Sequence, residues 1–151
     1  MFWQKDEFTI TTDPGRLDIA YIHAWLSGRS YWAEGIPMAT VRAAIDGSLP
    51  FGVYQGDRQI GFARVITDKA TFGYLADVFI DEEYRGLGLS KWLMDTILAH
   101  PELQGFRNWL LLTLDAHGLY ARSGFGPHAH PERIMIRTDP EIYKRALPTK
   151  E

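Results

Sequence analysis

The spacing of apolar and polar positions changes along the chain, and each change marks an element. FTITT (8–12) is β-branched, is bounded by Asp13-Pro14, and reads as a strand. Asp13 is placed to cap a following helix with Pro14 at its first position. Ile19, Ile22 and Leu26 give that helix an apolar stripe at i, i+3 and i+7, and Gly28 ends it. SYWAEGIP (30–37) reads as a loop, followed by a second helix from Met38 to Ile45 that stops at Gly47. PFGVYQ (50–55) and QIGFARVIT (59–67) form a hairpin around Gly56-Asp57-Arg58, and TFGYLADVFI (71–80) adds a third strand. Leu89, Trp92, Leu93 and Ile97 fall on one helical face, which Pro101 terminates. NWLLLTL (108–114) is a continuous apolar run of strand length, as in a strand buried on both faces. DAHGLYARSGF (115–125) reads as a short helix capped by Asp115 and running into a turn, and ERIMIRT (132–138) as the closing strand.

The order predicts an α/β protein whose central sheet is mixed and mostly antiparallel, with flanking helices. The strand–helix–strand unit from Phe72 to Leu114 makes one strand pair parallel. No linker or repeat divides the chain, so residues 1–151 read as a single domain. Apolar residues make up 46% and charged residues 23%, and the formal charge is −3, which gives no electrostatic reason to bind nucleic acid or an anionic membrane. The absence of cysteine removes disulfides, thiolate zinc sites and a cysteine nucleophile, and no metal is expected. The first residues, MFWQKDEFTITTD, lack the basic start and apolar core of a secretory signal, so a cytoplasmic protein is expected.

One segment resists a purely structural reading. DEEYRGLGLSKWLM (81–94) puts Gly86 and Gly88 between a strand and a helix, where bare backbone lets a ligand approach the free N–H groups of the first helical turn. Such a place suits an anion, phosphate above all, and Arg85 adds a cation at its rim. The spacing is not that of a Walker loop, and Lys91 stands where a dinucleotide fingerprint needs its third glycine.

The segment resembles the signature of the GCN5-related N-acetyltransferases, Gln/Arg-x-x-Gly-x-Gly/Ala, with Arg85, Gly88 and Ser90 at the matching places and Ser90 a conservative departure. HGLYARSGF (117–125) is similar to the family's later Leu-Tyr-x-x-x-Gly-Phe stretch, and the separation and element order also match. The resemblance implies the acyl-coenzyme A fold, with the parallel strand pair splayed apart. It implies that acetyl-CoA lies with its pyrophosphate on Arg85, Gly86, Leu87, Gly88, Leu89 and Ser90, with Lys91 adding charge. The pantetheine arm then runs along the main chain of Val78, Phe79 and Ile80 like an added strand.

The implied reaction is direct attack of an amine on the thioester. Tyr120 matches the tyrosine that protonates the departing thiolate, and the amide of Val78 or Phe79 matches the oxyanion donor. Asp77, an acid inside the apolar run YLADVFI, is the candidate for taking the amine proton or holding the ammonium group. Tyr31, Trp32 and Glu34 are candidates for the acceptor site, while His117 reads as a packing residue. The acceptor is expected to be an amine of a small molecule or a peptide. A protein lysine or N-terminal acetyltransferase and a catalytically silent acyl-CoA-binding module remain as alternatives, and a homodimer, frequent in the family, is compatible with the sequence.

Overall fold

A computed structural model describes residues 1–145. A six-stranded sheet in the order β1-β2-β3-β4-β5-β6 is antiparallel except for its last pair. β1 (Phe2–Lys5) and β2 (Phe8–Thr11) form a hairpin, followed by α1 (Ile19–Arg29) and α2 (Met38–Asp46). The meander β3 (Leu49–Gln55), β4 (Arg58–Thr67) and β5 (Phe72–Ile80) then leads through α3 (Leu89–Leu98) to β6 (Asn108–Leu110) and α4 (His117–Ala121). Each face of the sheet carries its own core. Ile22, Leu26, Val41 and Ile45 of α1 and α2 close over Phe62 and Phe79, while Leu93, Met94 and Ile97 of α3 pack against Phe51, Val53 and Val65. Among the described residues no helix is long and apolar enough to cross a membrane.

Several sequence expectations are corrected in detail. β1 is an additional strand: Asp6 adopts φ 54° in the tight turn to β2, a conformation Asp tolerates better than most residues. Asp13 caps only a 3₁₀ turn, Pro14–Arg16, and α1 has its own cap in Asp18, which accepts from Tyr21 N at 3.0 Å. Replacing Asp18 by Ala should therefore cost about 1 kcal/mol, read as a lower urea midpoint at constant slope; an unchanged midpoint would show that the cap contributes nothing. Gly28 lies inside α1, which is followed by the C-cap Ser30, whose hydroxyl donates back to Leu26 O.

The C-terminal third departs most. β6 is three residues long, and the exposed Leu112 and Leu114 replace the expected strand buried on both faces. Its ladder with β5 pairs Phe72 with Asn108, Gly73 with Trp109 and Tyr74 with Leu110, then stops. Beyond it, Leu114 N donates to the Tyr31 hydroxyl at 2.8 Å instead of to a strand, which draws the chain away from β5. Asp115 does not cap α4; the N-cap is Ala116, whose amide donates to Thr113 Oγ1. The expected strand at 132–138 is absent: a 3₁₀ turn covers Pro131–Arg133, and Ile134, Met135 and Ile136 are exposed. Its β propensity is met by no ladder among the described residues.

Candidate active site

The site grows out of an irregularity in β5. Arg64 pairs with Ala76 and Phe62 with Phe79, so Asp77 and Val78 together oppose Ala63 in a β-bulge. Asp77 sits at φ 54° there. The extra residue reverses the alternation of side chains along the strand. Leu75 and Ile80, five positions apart, face the same core, and Phe79 is turned to the opposite one, stacked on Trp25 at 4.1 Å with 3° between the planes. The bulge thus breaks the ladder beside the place where β5 and the chain after β6 diverge.

That divergence leaves a cavity of about 350 Å³ between β5 and residues 111–116. Asp77, Val78, Tyr31, Trp32 and Tyr120 all line it, so the sequence candidates from three separate segments meet in one place. Asp77 accepts from Arg64 Nε at 2.7 Å and from Trp32 Nε1 at 2.8 Å. Arg64 also donates to Ser48 Oγ at 3.0 Å, so the acid is held from two directions. Trp32 is steadied in turn by Trp25 and by the edge of Tyr31, 5.0 Å away. Tyr120 is 9% exposed, packs edge-on to Phe125 and lines the cavity. Burial, with smaller contributions from Tyr31 and Asp115, pushes its hydroxyl up to about 12, so it stays protonated at neutral pH.

Glu34 is exposed and does not line the cavity, and His117 is exposed at the start of α4. Three cavity residues with polar side chains escaped the sequence reading: Arg64, Tyr74 and Tyr143. Arg64 had a signal, a lone cation in the buried run GFARV matching the lone acid of YLADV. Tyr143 had none, because it reaches the cavity from a segment distant in sequence.

The glycine segment follows β5 directly. Asp81, 5% exposed, anchors its entrance: it accepts from the Tyr21 hydroxyl at 3.1 Å and pairs with Arg29, while its amide donates to Ile60 O at 2.7 Å. Gly86 and Gly88 have φ of 80° and 76°, and a Cβ on either would meet nothing within 4 Å. Their conformation therefore demands glycine, and the space in front of them is open. Gly88 is the N-cap of α3 and no side chain caps it, so the first-turn amides have no side-chain acceptor. Arg85 is exposed beside them, as is Lys91, which pairs with Asp95 at 2.9 Å. This arrangement fits a diphosphate: free donors, a positive dipole end and room for close approach.

Comparison with known proteins identifies the family and the fold. Residues 18–125 match the model of the acetyltransferase (GNAT) family. A Gibberella zeae protein provisionally named an acetyltransferase is 31% identical over 143 residues, with 80% of each chain covered. A crystal structure from Xanthomonas campestris pv. campestris, provisionally described as a GNAT-family acetyltransferase, superposes with a TM-score of 0.89 at 52% identity, covering 91% of this chain and 97% of the other. A Clostridium acetobutylicum acetyltransferase whose structure contains acetyl-CoA shares the fold, with a TM-score of 0.62 at 14% identity over 91% and 96% of the two chains. The family match over residues 18–125 and the 31% identical relative show that the chain belongs to the acetyltransferase (GNAT) family.

Proposed function

We propose that the protein transfers the acetyl group of acetyl-CoA to a primary amine of a small molecule or peptide, in the cavity between β5 and residues 111–116. The observation that carries this reading is the continuity of one strand. β5 runs past Tyr120 and Asp77 at the cavity and leads, through a 3₁₀ turn at Glu82–Tyr84, to the open glycine turn, so a ligand lying along it presents its two ends to two different chemistries. Bound there, acetyl-CoA would supply an activated acetyl thioester. The amides from Gly88 to Lys91 and the Arg85 guanidinium would hold its diphosphate, and the main chain of Val78, Phe79 and Ile80 would hold the arm between.

The chain's own groups divide the remaining work. An alkylamine of pKa about 10 reaches the site mostly as the ammonium ion. The Asp77 carboxylate attracts it and, through lone pairs that Arg64 and Trp32 leave free, accepts its proton and passes it to cavity water. Carboxylates are weaker bases than alkylamines by about 8 kcal/mol at reference pKa values, so the proton moves on to solvent rather than resting on the acid. An amide beside the bulge stabilises the oxyanion. Tyr120 hydrogen-bonds the sulfur as the carbon–sulfur bond breaks. Trp32, Tyr31 and Tyr74 wall the amine side, which suits a cation on an apolar stem.

Acetyl-CoA at about 100 times its dissociation constant should stabilise the fold by about 2.7 kcal/mol, seen as a raised melting temperature, with ATP and NADH giving little. No shift with acetyl-CoA would remove the reading. A panel of amines, followed by release of free coenzyme A, then separates a transferase from a silent binding module.

A further inference from the structure

Asp77 does not stand alone in the cavity. Arg64 lines it too, with Nε 2.7 Å from Asp77 Oδ2, and among the described residues it is the only cation that does. Its guanidinium is only partly used. Nε serves Asp77 and Nη1 serves Ser48 Oγ, but Nη2 has no acceptor among the described residues. Nor is Nη2 sealed off. Among the described residues the buried side-chain polar atoms without a partner are Thr9 Oγ1 and Trp25 Nε1, so Nη2 meets water, at a residue that lines the cavity. A mostly enclosed cation, fixed from two sides with donors to spare, is built to take an anion.

Two phenols stand by the pair. Tyr74 on β5 and Tyr143, from the segment after α4, line the cavity, and neither hydroxyl has a partner among the described residues. Burial holds both hydroxyls above the usual phenol range, Asp77 adds to this and Arg64 opposes it, so each ring lies within range of both charges. Asp115, the other carboxylate on the cavity, belongs to the opposite wall, which leaves the Arg64 side as the one that accepts an anion.

The charges decide what fits. With its poles 2.7 Å apart, the pair acts on a lone ammonium as a dipole: the attraction of Asp77 and the repulsion of Arg64 largely cancel. A ligand whose ammonium and carboxylate are separated by a single carbon can lie antiparallel to the pair. Its ammonium then meets Asp77 and its carboxylate meets Arg64 Nη2 and the phenols, so it gains at both ends. A simple amine or a peptide N-terminus gains at one end only.

We infer that the acceptor is an α-amino acid with a free carboxylate, and that Arg64 is the residue that selects it. That the amino acid is acetylated rests on the transferase reading; that the cavity binds it does not. Tyr31 and Trp32 offer walls for an apolar side chain, and a cavity of about 350 Å³ lies near the lower end for small-ligand clefts, which suits one amino acid rather than a peptide.

The test compares phenylalanine, phenylalaninamide and phenethylamine, which share the amine and the ring while the carboxylate is present, neutralised or absent. Titration calorimetry uses the full chain, alone and with saturating coenzyme A, which carries no acetyl group to transfer. Phenylalanine should bind at least about tenfold more tightly than either analogue, the scale of a hydrogen bond to a charged group. Leucine, leucinamide and isopentylamine should repeat the order. In Arg64→Gln the advantage of the amino acid should shrink toward parity, and Arg64→Lys, which keeps the charge, should keep part of it. A merely structural role would weaken all three ligands alike. Equal affinities in the wild type, tighter binding of the amide or the amine, or no binding of either amino acid overturns the proposal. An advantage that survives in a folded Arg64→Gln variant does so too, and the wild-type comparison decides where that variant does not fold. Release of coenzyme A from acetyl-CoA is read separately. Amino-acid binding without release defeats the transferase and leaves the site standing, whereas simple amines acetylated as fast as amino acids keep the transferase and defeat the amino-acid acceptor.

Discussion

Tyr120→Phe is expected to lower turnover by about 10²–10⁴-fold, with acetyl-CoA affinity and melting temperature nearly unchanged. The substitution removes one hydroxyl from a ring that is otherwise held by apolar packing against Phe125 and the α3-side core. The hydroxyl's partner is the cavity, so its loss orphans no group of the protein. Magnitudes define its role. A phenol pushed up to about 12 protonates a free thiolate of pKa about 8.5 only against about 5 kcal/mol. Full proton transfer to the sulfur is therefore unfavourable, and the hydroxyl acts by hydrogen-bonding the charge as it develops, keeping its proton while the thiolate departs. The acidity also fixes the pH profile. A group raised to about 12 stays protonated through the working range, so Tyr120 produces no decline of rate below about pH 10, and any decline there belongs to another group. Stability behaves differently. Tyr54 is also pushed up to about 12 by burial, and unfolded tyrosines ionise near 10. Between these values the unfolded chain loses protons that the folded chain keeps, so the fold weakens as pH rises from 10 toward 12. Turnover measured from pH 6 to 10, with circular dichroism at each point, separates the two. Unchanged turnover in the Phe variant would clear Tyr120 of this role.

The sequence made the meander, the crossover helix and the glycine turn legible for one reason: each is written in local chemistry. Gly86 and Gly88 announce positive φ, and Leu89, Trp92, Leu93 and Ile97 announce a buried helical face. Tyr120 and Asp77 stood out because one sits in a motif and the other breaks an apolar run. What stayed illegible depends on pairing at a distance. The length of β6 is set by the divergence from β5 and by the Tyr31 hydrogen bond to Leu114, and neither is visible in NWLLLTL. The bulge leaves no periodic trace other than the acid itself. ERIMIRT has strand-forming residues but forms no strand, because propensity names no partner.

Arg64→Leu is expected to cost about 3 kcal/mol of stability, the lower end of the 3–5 kcal/mol for breaking a buried pair, because the cavity lets water reach the remaining acid. The side chains of Arg64 and Asp77 are mostly enclosed, and the guanidinium ties the bulge in β5 to Ser48 at the start of β3. Its loss frees a carboxylate on a strand whose ladder is already broken, so the denaturation midpoint should fall and the cavity loosen. Asp77→Asn is the companion experiment. Asn tolerates φ 54° and still accepts from Trp32, so backbone strain stays out of the comparison, while the acceptor for Arg64 and the ion pair with it are lost. Asp77→Leu would add about 1–2 kcal/mol of left-handed strain and confuse the two effects. In the Asn variant kcat/KM should fall, and its rise with pH should flatten, since position 77 no longer carries a carboxylate to draw in the ammonium and relay its proton. If Asp77→Asn loses stability while its pH profile keeps the wild-type shape, Asp77 is only a strut for Arg64 and Trp32. The proton then leaves by another route, and Asp115 is the other carboxylate lining the cavity.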